Sequence, residues 1–119
     1  IPVDIQDAQS RGKKLLIFFH LDDCPYCAYL LQENFTQGAN RELIESKFDV
    51  VAINVRGDLP VNWIDGTVYS EKQLARKLGV FATPAVLVLG PKPEVSKKIM
   101  GYKKPGVFME LLGFEGAVQ

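Results

Sequence analysis

The sequence predicts an α/β domain in which helices flank a central mixed β-sheet. Three apolar runs rich in aromatic and β-branched residues, Lys14–Leu21, Phe48–Val55 and Phe81–Leu89, are typical of strands buried on both faces. Segments with helical spacing of their apolar residues separate these runs, as in a sheet built from strands with helical crossovers. We therefore predict one domain over residues 1–119, with residues 56–69 as an irregular insertion.

The first half of the chain alternates helices with the first two strands. Val3–Arg11 is predicted as a short helix that leads into the first strand. The helix after that strand starts at Pro25, which lacks the N–H that a first helical turn leaves unpaired, and Asp22 or Asp23 could cap it. Asn40–Lys47 is a second helical piece or a continuation of the same helix.

The second half of the chain adds one helix, a hairpin and a last helix. Ser70–Leu78 is predicted as a helix with the Ser70 side chain as its cap. The third apolar run is followed by a turn at Gly90–Pro93 and by an edge-like strand, Val95–Met100. Pro105–Phe114 is predicted as the final amphipathic helix. Within the insertion, we expect Trp63 to be a local packing anchor.

The composition narrows the possible partners. Lys plus Arg and Asp plus Glu both number 14, so no basic excess indicates binding to nucleic acid. The longest apolar runs, Leu15–Phe19 and Ala85–Leu89, are too short to span a bilayer. The sequence starts with Ile1 rather than Met, so we expect a trimmed or mature chain from which an export signal is already absent. We expect a monomer.

The two cysteines, Cys24 and Cys27, stand three positions apart where a strand hands over to a helix. The nucleophile in disulfide exchange is a thiolate, and the unpaired N–H groups and positive dipole end of a helix N-terminus stabilise it. Cys24 is therefore predicted to be the attacking thiol. Cys27 lies about one turn later and is predicted to be the resolving thiol.

Two other interpretations of the cysteine pair are weaker. A structural zinc site needs two more ligands, and the chain offers no further cysteine and only His20. A purely structural disulfide would close a very small loop and stabilise little. The position of the pair between a buried strand and a helix favours redox chemistry, with no metal and no cofactor.

The Thr83-Pro84 pair stands just before the most apolar part of the third run. A proline there is unusual, because it removes a hydrogen-bond donor from the sheet. A cis peptide bond would account for this proline. It would also leave neighbouring main-chain groups free to pair with an extended substrate. The alternative is an ordinary trans proline that starts a strand. Next to the cysteine motif, we expect the cis form.

The sequence resembles the thioredoxin superfamily over nearly its whole length. The segments that carry the similarity are KLLIFFHL, CPYC, FDVVAINV, EKQLARKLGV, ATPAVLVL and Gly101-Tyr102. The resemblance implies a thioredoxin fold in which a cis proline at Pro84 faces both cysteines and Gly101 lies near the same surface. The substrate-binding residues that the resemblance implies are Pro25, Tyr26, Thr83, Pro84 and Gly101.

Shorter segments are similar, more narrowly, to periplasmic thioredoxin-related proteins, including those associated with bacterial sulfur-oxidation (Sox) systems. These segments are NVRGD (Asn54–Asp58), the insertion around Asp65-Gly66, SEKQLARKLGV (Ser70–Val80) and GYKKPGVF (Gly101–Phe108). This resemblance implies a periplasmic protein whose signal has been removed. It also implies a membrane thiol transporter as the electron donor.

Three features depart from ordinary thioredoxin. Asp23 stands where a tryptophan usually precedes the first cysteine, and a Pro-Tyr pair replaces the usual Gly-Pro between the cysteines. Phe18 replaces a buried aspartate that, in thioredoxin, is linked to proton transfer with the resolving thiol. His20 and Glu33 are the candidates to take over that proton.

The sequence thus predicts an enzyme, a thiol–disulfide oxidoreductase that reduces protein disulfides and takes part in electron transport. The carboxylates of Asp22 and Asp23 oppose a thiolate at Cys24, and weaker thiolate stabilisation favours a reductase over a strong oxidant. Two alternatives stay open. One is a glutaredoxin-like, glutathione-dependent enzyme, which the Pro-Tyr pair suggests. The other is a redox-inert or metal-carrying binding module on a thioredoxin fold.

Overall fold

The computed structural model describes residues 1–36, 38–89 and 95–114 and has the predicted architecture, a mixed sheet flanked by helices. Its helices are α1 (Pro2–Ser10), α2 (Pro25–Asn34), α3 (Gly38–Lys47), α4 (Glu71–Lys77) and α5 (Pro105–Leu111). Its strands are β1 (Lys14–His20), β2 (Phe48–Asn54), β3 (Pro60–Asn62), β4 (Val68–Ser70), β5 (Ala85–Leu89) and β6 (Val95–Met100). The predicted turn at Gly90–Pro93 lies outside the described residues.

The main sheet has the strand order β2-β1-β5-β6. Strand β1 runs parallel to β2 and antiparallel to β5, and β5 runs antiparallel to β6. The two central strands are buried over Leu15–Phe19 and Ala85–Leu89, as their continuous apolar runs predict. The end of β1 and the start of β5 therefore lie side by side at the centre of the sheet, with Phe19 paired to Ala85.

Two strand predictions are wrong in detail. Strand β2 was predicted to be buried on both faces, but it is an edge strand with Val50 42% exposed. Among the described strands it pairs with β1 alone. The third run, Phe81–Leu89, was predicted as one strand entered through Thr83-Pro84, but β5 begins only at Ala85, directly after that pair. The four residues before Ala85 form a separate loop, hereafter the 81–84 loop.

The predicted irregular insertion contains a small antiparallel hairpin that the sequence did not indicate. Strands β3 and β4 pair through Val61 and Tyr69, and the Trp63 N–H donates to the Thr67 carbonyl at 2.9 Å. Trp63 itself is buried in the core, which confirms its predicted role as an anchor. Three-residue strands carry too little periodicity to be recognised, and packing around the tryptophan decides their conformation.

Side chains alternate across the sheet and build two separate cores. The α4-side core lies with α1, α4 and the hairpin, and consists of Ile5, Leu15, Ile17, Phe19, Ile53, Trp63, Leu74, Ala75, Val80, Ala85, Leu87 and Leu89. The α2-side core lies with α2, α3 and α5, and consists of Leu16, Phe18, Cys27, Leu30, Ile44, Phe48, Val86, Val88, Ile99, Phe108, Met109 and Leu112. Cys27 thus belongs to the α2-side core, and the sheet separates it from the α4-side core.

The helix ends follow local sequence signals. Ser70 caps α4 as predicted, because its hydroxyl accepts the Gln73 N–H at 3.2 Å while the Gln73 side chain accepts the Ser70 N–H at 3.0 Å. The longest helices in the described part of the chain, α2 and α3, have 10 residues each, which is about half of what a bilayer requires.

Candidate active site

Cys24 and Cys27 form a disulfide at the start of α2, with their Cα atoms 5.2 Å apart. Pro25 is the first helical residue, as predicted, and Cys24 is the N-cap. The Cys24 Sγ accepts a hydrogen bond from the Cys27 N–H at 3.2 Å. The prediction that Asp22 or Asp23 caps the helix is wrong, because both residues precede the cap position and Asp23 occupies the turn from β1 with φ 59°.

The two sulfur atoms differ in accessibility. Cys24 is half-buried, whereas Cys27 is only 5% exposed and packs in the α2-side core with Phe18 and Leu30. The helix explains this difference, since the cap position lies outside the first turn and the residue three positions later points back under it. A second protein can therefore reach Cys24 but not Cys27.

The 81–84 loop places Thr83 and Pro84 beside the disulfide. The Thr83–Pro84 peptide bond is cis, and the Thr83 Oγ1 lies 3.6 Å from the Cys24 Sγ. A disulfide sulfur has no proton, so the Thr83 hydroxyl is the donor in this contact. The Pro84 carbonyl accepts the Gly101 N–H at 2.8 Å, and Gly101 has φ 81°, which favours glycine. The structure thus brings together four predicted site residues from three distant segments.

Tyr26 projects from the first turn of α2 and is 58% exposed. Its ring lies 6.0 Å from the Tyr29 ring and 5.5 Å from the Tyr102 ring, measured between centroids. Tyr102 donates its hydroxyl to Glu33 at 2.6 Å, and this carboxylate raises the pKa of Tyr102 above its ordinary value of 10.0. Sequence reasoning missed Tyr29 and Tyr102 as neighbours of Tyr26, although the spacing of three residues on α2 indicates one of the two contacts.

A family model described as the thioredoxin-like domain matches residues 1–115. The chain belongs to this thioredoxin-like family. No curated protein matches the sequence. The match spans the cysteine pair, the 81–84 loop and Gly101, so the segments that the sequence comparison singled out fall within the family domain.

Solved structures share the fold of this thioredoxin-like domain. A thioredoxin from Thermus thermophilus is 28% identical, with a TM-score of 0.68 over 93% of this chain and 80% of that one. A thioredoxin-fold protein from Helicobacter pylori is 21% identical, with a TM-score of 0.72 over 88% of this chain and 70% of that one. The C-terminal domain of Neisseria meningitidis DsbD in its oxidised form is 19% identical, with a TM-score of 0.63 over 93% and 88%. The predicted thioredoxin fold is confirmed.

A cavity of about 710 Å³ borders the disulfide of this thioredoxin-like domain on the α2 side of the sheet. Phe18 is buried at its base and stacks on His20, with ring centroids 5.9 Å apart. Cys27 and His20 line this same cavity. The other proposed proton acceptor, Glu33, is instead engaged with Tyr102 on the outer surface of α2.

The part of the chain with described coordinates has no cluster of three or more His, Cys, Asp or Glu residues that could hold a metal ion. The acidic residues nearest the cysteines, Asp22 and Asp23, are both exposed and line the mouth of the α2-side cavity. They contribute negative charge at the solvent edge of the site.

Proposed function

We propose that this thioredoxin-like domain is a thiol–disulfide oxidoreductase that reduces disulfides in other proteins. The observation that carries the proposal is the pairing of an accessible N-cap sulfur, Cys24, with a buried partner, Cys27, in an existing disulfide. A structural disulfide would need neither the exposure of one sulfur nor the contact with Thr83. Attack on a substrate disulfide needs an accessible sulfur, and resolution needs a second thiol held next to it within the domain.

In the proposed reaction, the reduced domain starts with a thiolate at Cys24. This thiolate attacks one sulfur of the substrate disulfide, forms a mixed disulfide, and releases the other substrate sulfur as a thiolate that takes up a proton. Cys27 loses its proton and attacks the Cys24 Sγ, which releases the second substrate thiol and forms the Cys24–Cys27 disulfide. The substrate gains two electrons from the two cysteines and two protons, one from Cys27 and one from the solvent, because Cys24 reacts as a thiolate. The structure represents the oxidised product state of the domain.

The positions of the site residues suit this chemistry. At the N-cap, the Cys27 N–H already donates to the Cys24 Sγ, and the same hydrogen bond would stabilise a thiolate there. Thr83 precedes β5, so its main-chain groups lie outside the sheet ladder and can pair with an extended substrate segment. Pro84 and Gly101 support this loop through their hydrogen bond, and Tyr26 with Pro25 forms the rim on the helix side.

We propose that His20 accepts the proton that Cys27 loses in the resolving step. The imidazole lines the cavity that also contains Cys27, and it is only half-buried, so it can exchange its proton with water. Phe18 supplies no ionisable group, and Glu33 is occupied by the Tyr102 hydroxyl. The exposed carboxylates of Asp22 and Asp23 oppose a second negative charge at Cys24, which supports a reducing rather than a strongly oxidising role.

The biological setting that we propose follows from the family resemblance. The domain acts in the periplasm as a monomer, with protein disulfides as its substrates, and a membrane thiol transporter returns electrons to its disulfide. A thiol transporter can reach the same sulfur that the substrate reaches, since Cys24 is the accessible member of the pair.

Trapping of the mixed disulfide tests the proposed function. The Cys27→Ser variant should form a stable covalent adduct with a model protein disulfide through Cys24, while Cys24→Ser should form none. Turnover should fall at least about a hundredfold in both variants, because each removes a reacting group. An adduct that forms on Cys27 in Cys24→Ser would reverse the proposed roles, and rapid turnover of a glutathione mixed disulfide alone would favour the glutathione-dependent alternative.

A further inference from the structure

A separate cleft, of about 410 Å³, is lined by Thr83 and shares only Leu21 with the α2-side cavity. We call it the Phe81 cleft. It lies between α4 and the residues that lead into β5, and the residues that matter below are Arg56, Lys72, Arg76, Phe81 and Thr83. Thr83 lines this cleft and also contacts the Cys24 Sγ at 3.6 Å, so one residue joins the cleft to the reactive sulfur.

The Phe81 cleft concentrates positive charge in a chain whose formal net charge is zero. Arg56, Lys72 and Arg76 line it, and no carboxylate among the residues that the structure describes does so. Lys72 forms an exposed ion pair with Asp58 at 3.5 Å, whereas neither Arg56 nor Arg76 has a side-chain partner among the described residues. The nearby carboxylate of Glu71 is buried and accepts main-chain N–H groups instead.

Phe81 gives the cleft an apolar contact point. Its side chain is 88% exposed, the highest value among the exposed large hydrophobic residues of the described chain. An exposed aromatic ring and two arginines thus line one cleft, and aromatic and arginine side chains are enriched at the centres of protein interfaces.

The two cavities near the reactive sulfur are lined by side chains of opposite charge. Asp22 and Asp23 stand at the mouth of the α2-side cavity, and Arg56 and Arg76 stand in the Phe81 cleft. A substrate segment that crosses Cys24 therefore meets negative charge on one side and positive charge on the other. Such an arrangement selects both the charge pattern and the direction of a bound segment.

We propose that the Phe81 cleft binds the acidic flank of the protein segment that carries the reactive disulfide. This inference rests on the proposed function and deepens it, because it names the substrate class: proteins with Asp or Glu next to the attacked cysteine on one side. The carboxylates pair with Arg56 and Arg76, and an apolar residue of the same segment covers Phe81.

Matched peptide disulfides test the proposal. Two peptides of one sequence are compared, with either two Glu or two Lys residues on the same side of the cysteine. The domain should reduce the Glu peptide with a kcat/KM roughly tenfold above that of the Lys peptide. The Glu peptide can form two exposed ion pairs with the arginines, and the Lys peptide cannot. The preference should shrink at high salt.

Charge reversal locates the effect. The Arg56→Glu/Arg76→Glu double variant should invert the preference, because both cations of the cleft become anions. The control, Arg41→Glu/Lys47→Glu, makes the same change of net charge on exposed positions of α3 and should keep the wild-type preference. Phe81→Ser should lower kcat/KM for both peptides alike. Equal rates for the two peptides, or an equal response to both double variants, would overturn the proposal.

A binding measurement separates this proposal from the proposed function. The same peptides with serine in place of cysteine cannot react, so their affinity for the domain reports on the cleft alone. The wild type should bind the Glu peptide more tightly than the Lys peptide, and the Arg56→Glu/Arg76→Glu variant should lose this difference. That result supports the cleft as a binding site even if no peptide is reduced. Reduction of both peptides with no difference in rate or affinity leaves the oxidoreductase intact and removes the cleft as a specificity site. Binding of an inorganic phosphate or an RNA oligomer in preference to the Glu peptide would also overturn it.

Discussion

At the scale of single residues, the site is defined by which groups reach the sulfurs. Cys24 caps its own helix, and Thr83 supplies the contact from the opposite loop. His20 and the buried Cys27 both line the α2-side cavity. Each of these side chains has an individual task, so single substitutions should separate them.

His20 is expected to speed the resolving step by accepting the proton of Cys27. Replacement by Gln removes the ionisable group and keeps the polarity, so His20→Gln should slow resolution roughly tenfold to a hundredfold near neutral pH, with little effect on the first attack. Single-turnover kinetics with a chromogenic disulfide separate the two steps. Glu33→Gln is the control, because Glu33 is bonded to Tyr102 and should leave the resolving step unchanged. An unchanged rate of the resolving step in His20→Gln would contradict the assignment.

Tyr102 provides a second titration at the edge of the site. Its hydrogen bond to Glu33 and the charge of that carboxylate favour the neutral phenol, and therefore raise its pKa above 10.0. Glu33→Gln should lower the pKa of Tyr102 toward its ordinary value, as measured by ultraviolet difference titration against Tyr102→Phe. Because the folded pKa is the higher one, this hydrogen bond stabilises the fold fully below the unfolded pKa and loses its effect as the pH rises through the folded pKa. A pKa unchanged by the substitution would exclude this explanation.

At the scale of elements, α4 is tied to the end of β2 by a buried carboxylate. Glu71 is 7% exposed, and it accepts the Asn54 N–H at 2.9 Å and the Leu59 N–H at 3.4 Å. Gly57 leaves room for it, since a Cβ at this position would lie 1.9 Å from the Glu71 Oε1. The loop that carries Arg56 is thus held against the helix that carries Arg76, which shapes the Phe81 cleft.

Gly57 and Glu71 should therefore be energetically coupled. Glu71→Ala should destabilise the domain by about 1–3 kcal/mol, because it leaves two N–H groups without an acceptor. Gly57→Ala should cost about 1–3 kcal/mol through overpacking against the carboxylate. In the Glu71→Ala background, Gly57→Ala should cost less, with a coupling above about 0.5 kcal/mol. Urea unfolding followed by circular dichroism gives all three values, and strictly additive costs would show that the clash is relieved elsewhere.

The central strands and the cysteine helix were predictable because their local sequence and their environment agree. Strands β1 and β5 are covered on both faces, so a continuous apolar run is enough to recognise them. The run of β2 looks the same in sequence, but its place at the sheet edge leaves Val50 exposed. No local signal distinguishes a central from an edge position, since strand order is a property of the whole sheet.

Site residues were predictable to different degrees for a similar reason. The cysteine pair and Thr83-Pro84 are short motifs with a physical meaning of their own. Tyr102 lies beside Tyr26, and Arg56 and Arg76 line one cleft with Thr83, only because distant segments meet, and no pattern in one sequence reports that meeting. The helix cap at Cys24 was missed because aspartate is the commoner residue at this position. The turn at Asp23 places Cys24, and not an aspartate, at the cap position.

At the scale of the whole molecule, the sheet divides the interior into two cores that share no residue. The α4-side core includes Ile5 of α1, and the α2-side core includes Ile44 of α3. Packing is transmitted by contact, so substitutions in different cores should act independently, whereas those within one core share neighbours.

Conservative substitutions test this division. Ile5→Val and Ile44→Val should each cost about 0.5–1.5 kcal/mol, and their combination should be additive within about 0.5 kcal/mol. The comparison pair is Ile17→Val with Ile53→Val, which belong to the same core and should deviate from additivity. Thermal and urea unfolding measure both cycles. Strong coupling between Ile5 and Ile44 would show that the sheet does not insulate the two cores.

The burial of Trp63 in the α4-side core has a practical consequence for spectroscopy. Trp63 is the sole tryptophan of the chain, and the sheet stands between it and the disulfide. A disulfide quenches indole fluorescence at close contact, and no such contact exists on this side of the sheet. Emission from the intact domain should therefore change little when the disulfide is reduced, and should shift to longer wavelength only when the domain unfolds. The molecule thus contains an optical reporter of folding that is insensitive to its redox state.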